Sequence, residues 1–494
     1  MRLRTILEGI DPERSDADPS LEICSLAYDS RRVRRDALFF AVEGFKADGH
    51  AFIGAAAEAG AAAAVTGRWV EDSPIPQFQA GDVRSAMAAA AGNFFGHPSR
   101  DLTLAGVTGT NGKTTTTFLL DSILRAAGKA TGIIGGVEYR IGDSVEPATR
   151  TTPEAIDSQE MLARAVAAGV EVVSMEVSSH GLELHRIEGM DFDVAVFTNL
   201  SPDHLDLHGD METYFEVKKR LFGHTDSGEA AAGGVGRPRA VVNLDDGYGK
   251  RLAALAGEDA VTFGLDENAM VRAADMEYSG WETRFTLVSP EGGGEAVIHL
   301  PGRFNLHNSL AAAAAALALG VPTGAILSGL ASAKGVPGRF EPVEVDTPFR
   351  VIIDYAHNED GLRRALKTAS RITSGRLITV FGCPGERDRE KRPRMGKVAG
   401  SISDISILTT DDCYGEDPES ILDEVEAGLS SSGGAYRRQE DRRLAIETAL
   451  SMAAPDDTVL IAGKGHERFQ RMKDGPHPFS DRTVVLESVG GKGS

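Results

Sequence analysis

Gly109-Thr110-Asn111-Gly112-Lys113-Thr114-Thr115 has the residue types that hold a polyphosphate. Glycines let the backbone take positive φ and approach an anion closely. Free N–H groups at a helix start point at it, and the helix dipole favours its charge. Lys113 can reach the β/γ-phosphates, and the Thr114 hydroxyl can ligate Mg²⁺. The stretch lies between an apolar strand pattern, Leu102–Ala105, and a helix pattern, Thr116–Leu124. Strand, Gly-rich turn, Lys-Thr and helix is the context such a loop needs. Its glycine spacing is irregular: Val107 stands five positions before Gly112, and the glycine comes one earlier, at Gly106.

Other strand ends carry chemistry as well. Val172–Val177 ends with Glu176 before the polar loop Ser178-Ser179-His180-Gly181. At the carboxyl edge of a parallel sheet Glu176 would stand beside the phosphate loop and could hold Mg²⁺. Phe197–Thr198 runs into Asn199-Leu200-Ser201-Pro202-Asp203-His204, where His204 is a candidate metal ligand or proton carrier. Lys218 and Lys219 follow on a helix, where a charged face is the usual explanation. Asn305 or Asn308 could read a purine edge or cap the helix they precede. Arg387, Arg389, Lys391 and Arg392 crowd one loop, where arginine can fork onto a carboxylate or phosphate. Gly463-Lys464-Gly465-His466-Glu467 offers N–H groups, an imidazole and a carboxylate.

The elements that must position these residues form an α/β chain of three domains. Residues 1–98 read as a small α/β module, with a strand at Leu38–Val42 and a breaker at Gly96-His97-Pro98. Residues 99–337 alternate strands and helices, which argues a parallel sheet covered on both faces. There we expect a helix Pro153–Ala168, a strand Val170–Val177, a Gly-rich surface loop at Ala230–Gly236 and an antiparallel edge within Met270–Leu300. Residues 338–494 give a doubly wound pattern with strands at Val351–Asp354, Leu377–Phe381, Ile405–Leu408 and Val459–Ala462. No G-x-G-x-x-G follows the first of these, so NAD is not inferred.

A chain of 494 residues with 41% apolar and 25% charged content is ordinary for a soluble protein. Its net charge of -21 argues against nucleic-acid partners. Cys24, Cys383 and Cys413 show no metal or disulfide spacing, which suits the cytoplasm. No apolar run is long enough for a membrane span, and the start has no signal-peptide pattern.

Taken together, the motifs resemble those of the Mur ligase family. They are Gly109–Thr114, Met175–Gly181, Asn199–Asp206, Asp354-Tyr355-Ala356-His357, Asp29-Ser30-Arg31 and Gly463–Glu467. Within the family the match is closest to members that add the third peptide residue to UDP-MurNAc-L-Ala-D-Glu. The resemblance implies a uridine-nucleotide-binding domain, a P-loop ATPase domain and a Rossmann-like domain. It implies ATP and Mg²⁺ as cofactors, small-molecule substrates as partners and a monomer. It also implies an acyl-phosphate route: ATP phosphorylates the D-Glu side chain, and an amine displaces phosphate.

Site residues follow by position. Lys113, Glu176, His204 and Lys218 would be catalytic. Thr114, Glu176, His204 and Lys218 would arrange the metal, with Lys218 carbamylated. ATP contacts would be Gly109 to Thr115, Asn308 and Arg339. Tyr28, Ser30, Phe45, Lys46 and Ala47 align with uridine-nucleotide contacts. Thr151, Thr152, Ser178 and Arg186 align with dipeptide contacts, while Arg150 and Leu184 stand where other members carry Asn and Gln. Arg387, Asp412, Gly463 and Glu467 would meet the incoming amino acid.

One departure concerns that amino acid. Members selecting meso-diaminopimelate carry Asp-Asn-Pro-Arg, whose arginine clamps the distal carboxylate. Here Asp412, Cys413 and Tyr414 replace the last three. The acids Asp411, Asp412, Glu416 and Asp417 suit an amine-ended side chain, so the expectation is lysine or another basic diamino acid. The alternatives are a folylpolyglutamate-synthase-like ligase, against which Asp29-Ser30-Arg31 argues, and a catalytically inactive scaffold. A phosphate-loop switch is a third, but Asn-Lys-x-Asp is missing, and Glu176 stands where Walker B has Asp.

Overall fold

Apolar runs in this chain fall into three sheets, and helices shield each of them. The computed structural model describes residues 1–44, 47–223 and 237–490. Phe45, Lys46 and the expected loop 230–236 lie outside the described residues.

The first sheet contains Arg14–Ser15 (β1), Ser25–Ala27 (β2), Ala37–Phe40 (β3), Ala61–Thr66 (β4) and Gln77–Gln79 (β5). Its order is β1-β5-β4-β3-β2, parallel except for β1 against β5. Every residue of β3 is buried, as a continuous apolar run requires when both faces are covered. The helix Val83–Phe95 starts where the Asp82 side chain accepts from the Arg84 and Ser85 N–H groups. It stops at Gly96, whose φ of 76° is left-handed.

The second sheet has eleven strands: Thr103–Thr108 (β6), Thr131–Ile134 (β7), Glu138–Ile141 (β8), Ser144–Pro147 (β9), Val172–Glu176 (β10), Val194–Phe197 (β11), Arg239–Asn243 (β12), Val261–Gly264 (β13), Val271–Ser279 (β14), Glu282–Ser289 (β15) and Gly292–Ile298 (β16). The order is β16-β15-β14-β13-β12-β11-β6-β10-β7-β8-β9. The β6 strand lies between β10 and β11, parallel to both. The carboxyl ends of all three therefore meet at one edge, where ligands bind in such sheets. The expected strand Val170–Val177 is shorter, because only Val172–Glu176 keeps ladder partners. The edge at β14–β16 is antiparallel as expected from β14 outward, while β14 itself runs parallel to β13.

The third sheet contains Glu341–Pro342 (β17), Arg350–Asp354 (β18), Leu377–Phe381 (β19), Ile405–Leu408 (β20), Ala435–Arg438 (β21) and Thr458–Ala462 (β22), in the order β17-β18-β22-β19-β20-β21. All neighbours are parallel but β17. A separate hairpin, Phe469–Met472 (β23) with Gly475–Pro478 (β24), follows. The segment expected as one charged loop divides, since a helix begins at Lys391 and runs to Ile402. Among the described residues no helix is long and apolar enough to cross a membrane.

The core under the phosphate loop depends on small side chains. The helix Arg303–Ala318 buries Ala311 to Ala316 almost completely. It packs with Lys113–Ala126 and Thr323–Ser332 into one apolar cluster. At Gly329 a Cβ would stand 2.3 Å from Ile123 Cα, in the backbone of the phosphate-loop helix. At Gly324, on the same helix as Gly329, a Cβ would meet nothing within 4 Å. Gly329→Ala should therefore cost about 1–3 kcal/mol through overpacking. Gly324→Ala should stabilise by about 0.5–1 kcal/mol through helix propensity. Thermal unfolding of the two variants checks this, and equal melting temperatures would remove the close-approach argument.

Candidate active site

Positive φ shapes the phosphate loop. Gly109 has φ 139° and Gly112 has φ 91°. A Cβ on Gly109 would lie 2.0 Å from Thr198 Oγ1, and one on Gly112 2.3 Å from Asn308 Oδ1. Gly106 plays no part in the turn: it lies inside β6, where a Cβ would meet the Phe192 ring at 2.8 Å. The irregular glycine spacing thus has a packing cause.

The end of β11 braces the loop. Asn199 Oδ1 accepts from the Asn111 N–H at 3.1 Å, and its Nδ2 donates to the Asn111 carbonyl at 2.9 Å. Thr198 Oγ1 donates to the same carbonyl at 2.7 Å. Thr110 Oγ1 donates to the Ser201 carbonyl at 3.2 Å and accepts from the Ser201 N–H at 3.0 Å. These bracing roles of Thr198 and Asn199 were not assigned from sequence. The motif Asn199–Asp206 carried the signal, but register with β6 was needed to read it.

Two lysines converge beneath the loop. Lys113 Nζ donates to the carbonyls of Gly109 at 2.9 Å and Thr110 at 3.0 Å. Lys218 Nζ donates to the same Gly109 carbonyl at 3.1 Å and lies 4.7 Å from the Tyr214 ring centre. Lys218 is 1% exposed, so the charged-surface reading does not hold for it; its neighbour Lys219 pairs with Glu216. Burial first, and then Lys113, push the Lys218 ammonium well below its ordinary pKa. Burial also lowers that of Lys113.

Glu176 reaches the loop from β10. Its Oε2 accepts from Thr114 Oγ1 at 2.9 Å, and its Oε1 from the Gly136 N–H at 2.7 Å. Arg339 Nη2 donates to Thr114 Oγ1 at 3.1 Å from across the domain boundary. His204, at φ 53°, has its Nε2 3.9 Å from Asp203 Oδ2 and its ring 5.0 Å from that of His180. Desolvation, with His180, His357 and Lys113 nearby, pushes the pKa of this imidazole down to about 3 despite Asp203. Among the described residues no three His, Cys, Asp or Glu side chains cluster to hold a metal. A hydroxyl, one carboxylate and an imidazole beside a phosphate loop fit Mg²⁺, which keeps waters and substrate oxygens as ligands.

Lys113, Thr114, Glu176, His204 and Arg339 border a cavity of about 640 Å³ to which all three domains contribute, whereas Lys218 lies buried behind its lining. Thr151, Thr152, Ser178 and Arg186, the expected dipeptide contacts, line one side of the cavity with Arg150 and Leu184. Thr152 Oγ1 donates to the Glu176 carbonyl at 2.9 Å, and Arg186 Nη1 to the Thr152 carbonyl at 3.0 Å. Glu154, unmarked in the sequence reading, lies between Arg186 at 2.8 Å and Arg84 of the first domain at 3.2 Å.

Tyr28, Ser30 and Ala47 are not among the cavity-lining residues, whereas Gly44 is. The Tyr28 hydroxyl donates to Asp157 at 2.5 Å, so that group ties two domains together. Asn308 lines a second cavity of about 410 Å³ with His307, Arg303 and Arg364. It adjoins the phosphate loop at Gly112, so the loop separates the two cavities.

Arg387, Asp411, Asp412, Gly463 and Glu467 line the third-domain side. The acids do not form the free anionic patch expected. Asp412 accepts from Lys464 Nζ at 2.7 Å and from Arg471 through N–H at 2.9 Å and Nη1 at 3.0 Å. Glu416 pairs with Arg392 at 2.7 Å, and Asp417 caps the helix Pro418–Ser432. Glu467 accepts from Lys464 at 2.8 Å, and burial raises its pKa. Only Asp411 Oδ2 is buried without a hydrogen-bond partner. The partners Lys464 and Arg471 lie more than fifty positions from Asp412, which hid them from a local reading.

Comparison with known proteins gives a consistent picture. The Mur ligase family catalytic domain matches residues 22–90, the Mur ligase middle domain 107–316 and the Mur ligase glutamate ligase domain 338–465. A UDP-N-acetylmuramoyl-L-alanyl-D-glutamate--2,6-diaminopimelate ligase of Geobacter metallireducens is 44% identical, covering 98% of each chain. One from Caldanaerobacter subterraneus is 41% identical, covering 99% of this chain and 98% of its own. A solved structure of a ligase so named is 32% identical, with a TM-score of 0.65 over 99% of this chain and 98% of its own. A folylpolyglutamate synthase of Mycobacterium tuberculosis shares the fold at 19% identity and a TM-score of 0.64, covering 83% of this chain and 96% of its own. The agreement spans every domain, and the chain belongs to the Mur ligase family of ATP-dependent ligases.

Proposed function

We propose that this enzyme is a ligase of the MurE type that joins 2,6-diaminopimelate to UDP-MurNAc-L-Ala-D-Glu, in the cytoplasm and as a monomer. The observation that carries this reading is the single cavity bounded by the phosphate loop, the Thr152–Arg186 wall and the Arg387–Glu467 wall. Three substrates can meet there. The curated relatives named above are diaminopimelate ligases. Of the acids that favoured lysine, Asp412 and Glu416 are paired with cations and Asp417 caps a helix; Asp411 alone keeps an unpartnered oxygen, which weakens the physical ground for an amine-ended side chain.

In this reading the D-Glu side-chain carboxylate attacks the γ-phosphorus of ATP. ADP leaves, and an acyl phosphate forms. The α-amine of the incoming amino acid attacks the acyl carbon, a tetrahedral intermediate collapses, and phosphate leaves with the amide in place. Lys113 offsets the charge of the γ-phosphate as the two anions approach. Thr152, Ser178 and Arg186 position the dipeptide, and Asn308 and Arg339 the nucleotide. Thr114, Glu176, His204 and a carbamylated Lys218 would hold Mg²⁺, which when bound screens phosphate from carboxylate. Lys218 suits carbamylation because the neutral amine is the form that adds CO₂, and its burial favours that form.

Three outcomes are expected. Lys113→Ala should lower the ligation rate by about 10²–10³-fold while leaving the melting temperature nearly unchanged; product formation near the normal rate defeats the assignment. With single amino acids, mass spectrometry should show meso-diaminopimelate added at least about 100-fold more efficiently than lysine; lysine product alone would restore the lysine reading. Removing dissolved CO₂ should depress the rate, and bicarbonate should restore it. A rate indifferent to bicarbonate would count against the carbamate.

A further inference from the structure

The hairpin of β23 and β24 lies against the loop Thr410–Tyr414. Gln470 Nε2 donates to Thr410 Oγ1 and to the Asp411 carbonyl, both at 3.0 Å. The Arg471 N–H donates to Asp412 Oδ1 at 2.9 Å, and the Arg471 carbonyl accepts from the Tyr414 N–H at 3.0 Å. Arg471 is thus fixed at its backbone beside both residue 412 and residue 414. Its side chain is 47% exposed, with Nη1 3.0 Å from Asp412 Oδ2 and 3.9 Å from Glu467 Oε1. Both acids line the cavity.

Charge accounting around this loop distinguishes Arg471. Asp412 is already matched by Lys464, which is fully buried and also bonded to Glu467. Arg442 is buried on Asp481, with both side chains fully covered. Neither cation can turn toward a ligand. Lys464 is shared between Asp412 and Glu467, and Arg471 reaches the same two acids as the more exposed of the two cations. Its guanidinium has five donors, so it can keep Asp412 and still offer a fork to another carboxylate. Arg387 stands on the other side, its Cζ 5.7 Å from the Tyr414 ring centre. Two exposed arginines therefore border Tyr414, the position where the family resemblance expects an arginine.

We propose that Arg471 is a specificity-determining residue that binds the distal carboxylate of the incoming amino acid, supplying from the hairpin the cation that position 414 lacks. The proposal rests on the diaminopimelate reading above. A carboxylate-ended side chain meets a guanidinium there; an ammonium-ended one meets like charge.

The test uses the full-length enzyme with ATP, UDP-MurNAc-L-Ala-D-Glu and either meso-diaminopimelate or L-lysine. Arg471→Ala leaves the Asp412–Lys464 pair in place. It should raise KM for meso-diaminopimelate about 30-fold, with kcat and the KM for ATP within about twofold. Arg471→Lys should fall between, since the charge stays and the fork is lost. Adding Tyr414→Arg to Arg471→Ala should recover much of the loss, which a purely structural role would not allow. An unchanged KM in Arg471→Ala, or an equal loss for both amines with a lower melting temperature, overturns the role of Arg471 alone. Wild-type enzyme that adds lysine and not meso-diaminopimelate overturns the substrate reading and this role with it.

Discussion

The Gly109 carbonyl is the point on which the cleft depends. Its two lone pairs receive Lys113 at 2.9 Å and Lys218 at 3.1 Å. The carbonyl can face inward because Gly109 holds φ 139° against the end of β11, where any side chain would strike Thr198. Two ammonium groups on one buried oxygen repel each other. Burial first, and then Lys113, push the pKa of Lys218 well below its ordinary value, so the turn at Gly109 bears on the titration of a side chain more than a hundred residues away. The same turn leaves Lys113 beside the helix N-terminus, where a phosphate would sit.

Periodicity made most of the fold legible. The run of alanines from Ala311 could only be a buried helix, and the alternation of apolar strands with helices after residue 99 required a parallel sheet. Within the site, the meeting of the phosphate loop and Glu176 at one sheet edge was readable, because it needs only one loop and one strand end. The states of Lys218 and Asp412 were not. Sequence shows a lysine on a charged helix, but burial under the phosphate loop comes from helix packing. It shows a row of acids after β20, but Asp412 is neutralised by Lys464, brought alongside by the ladder β20-β19-β22, and by Arg471 on the hairpin that hydrogen-bonds the loop. Local pattern reports residue type; long-range pairing decides charge.

This explains how a chain of net charge -21 accommodates anionic substrates. Acids are numerous but seldom idle within the cleft. Glu154 lies between Arg84 and Arg186, Asp412 between Lys464 and Arg471, and Glu416 on Arg392. Each carboxylate fixes the direction of the cations around it, Arg471 included, and Arg387 lines the cavity. The acidic surface keeps the molecule dispersed, while binding is a matter of a few oriented guanidinium groups.

The Thr114 hydroxyl serves two masters. It donates to Glu176 and accepts from Arg339, and Arg339 follows Gly338, a left-handed residue at the start of the stretch that matches the glutamate ligase domain. A Cβ at Gly338 would fall 2.1 Å from the His466 N–H nitrogen, and His466 in turn donates through Nε2 to the Gly136 carbonyl. Phosphate loop, inter-domain joint and the loop after β22 are thereby linked through a short relay of polar atoms. Whatever occupies the Thr114 hydroxyl changes the grip on the joint, and by linkage the posture of the joint changes affinity at the hydroxyl. A ligand that drew Arg339 or Glu176 away from that hydroxyl would act on the joint directly.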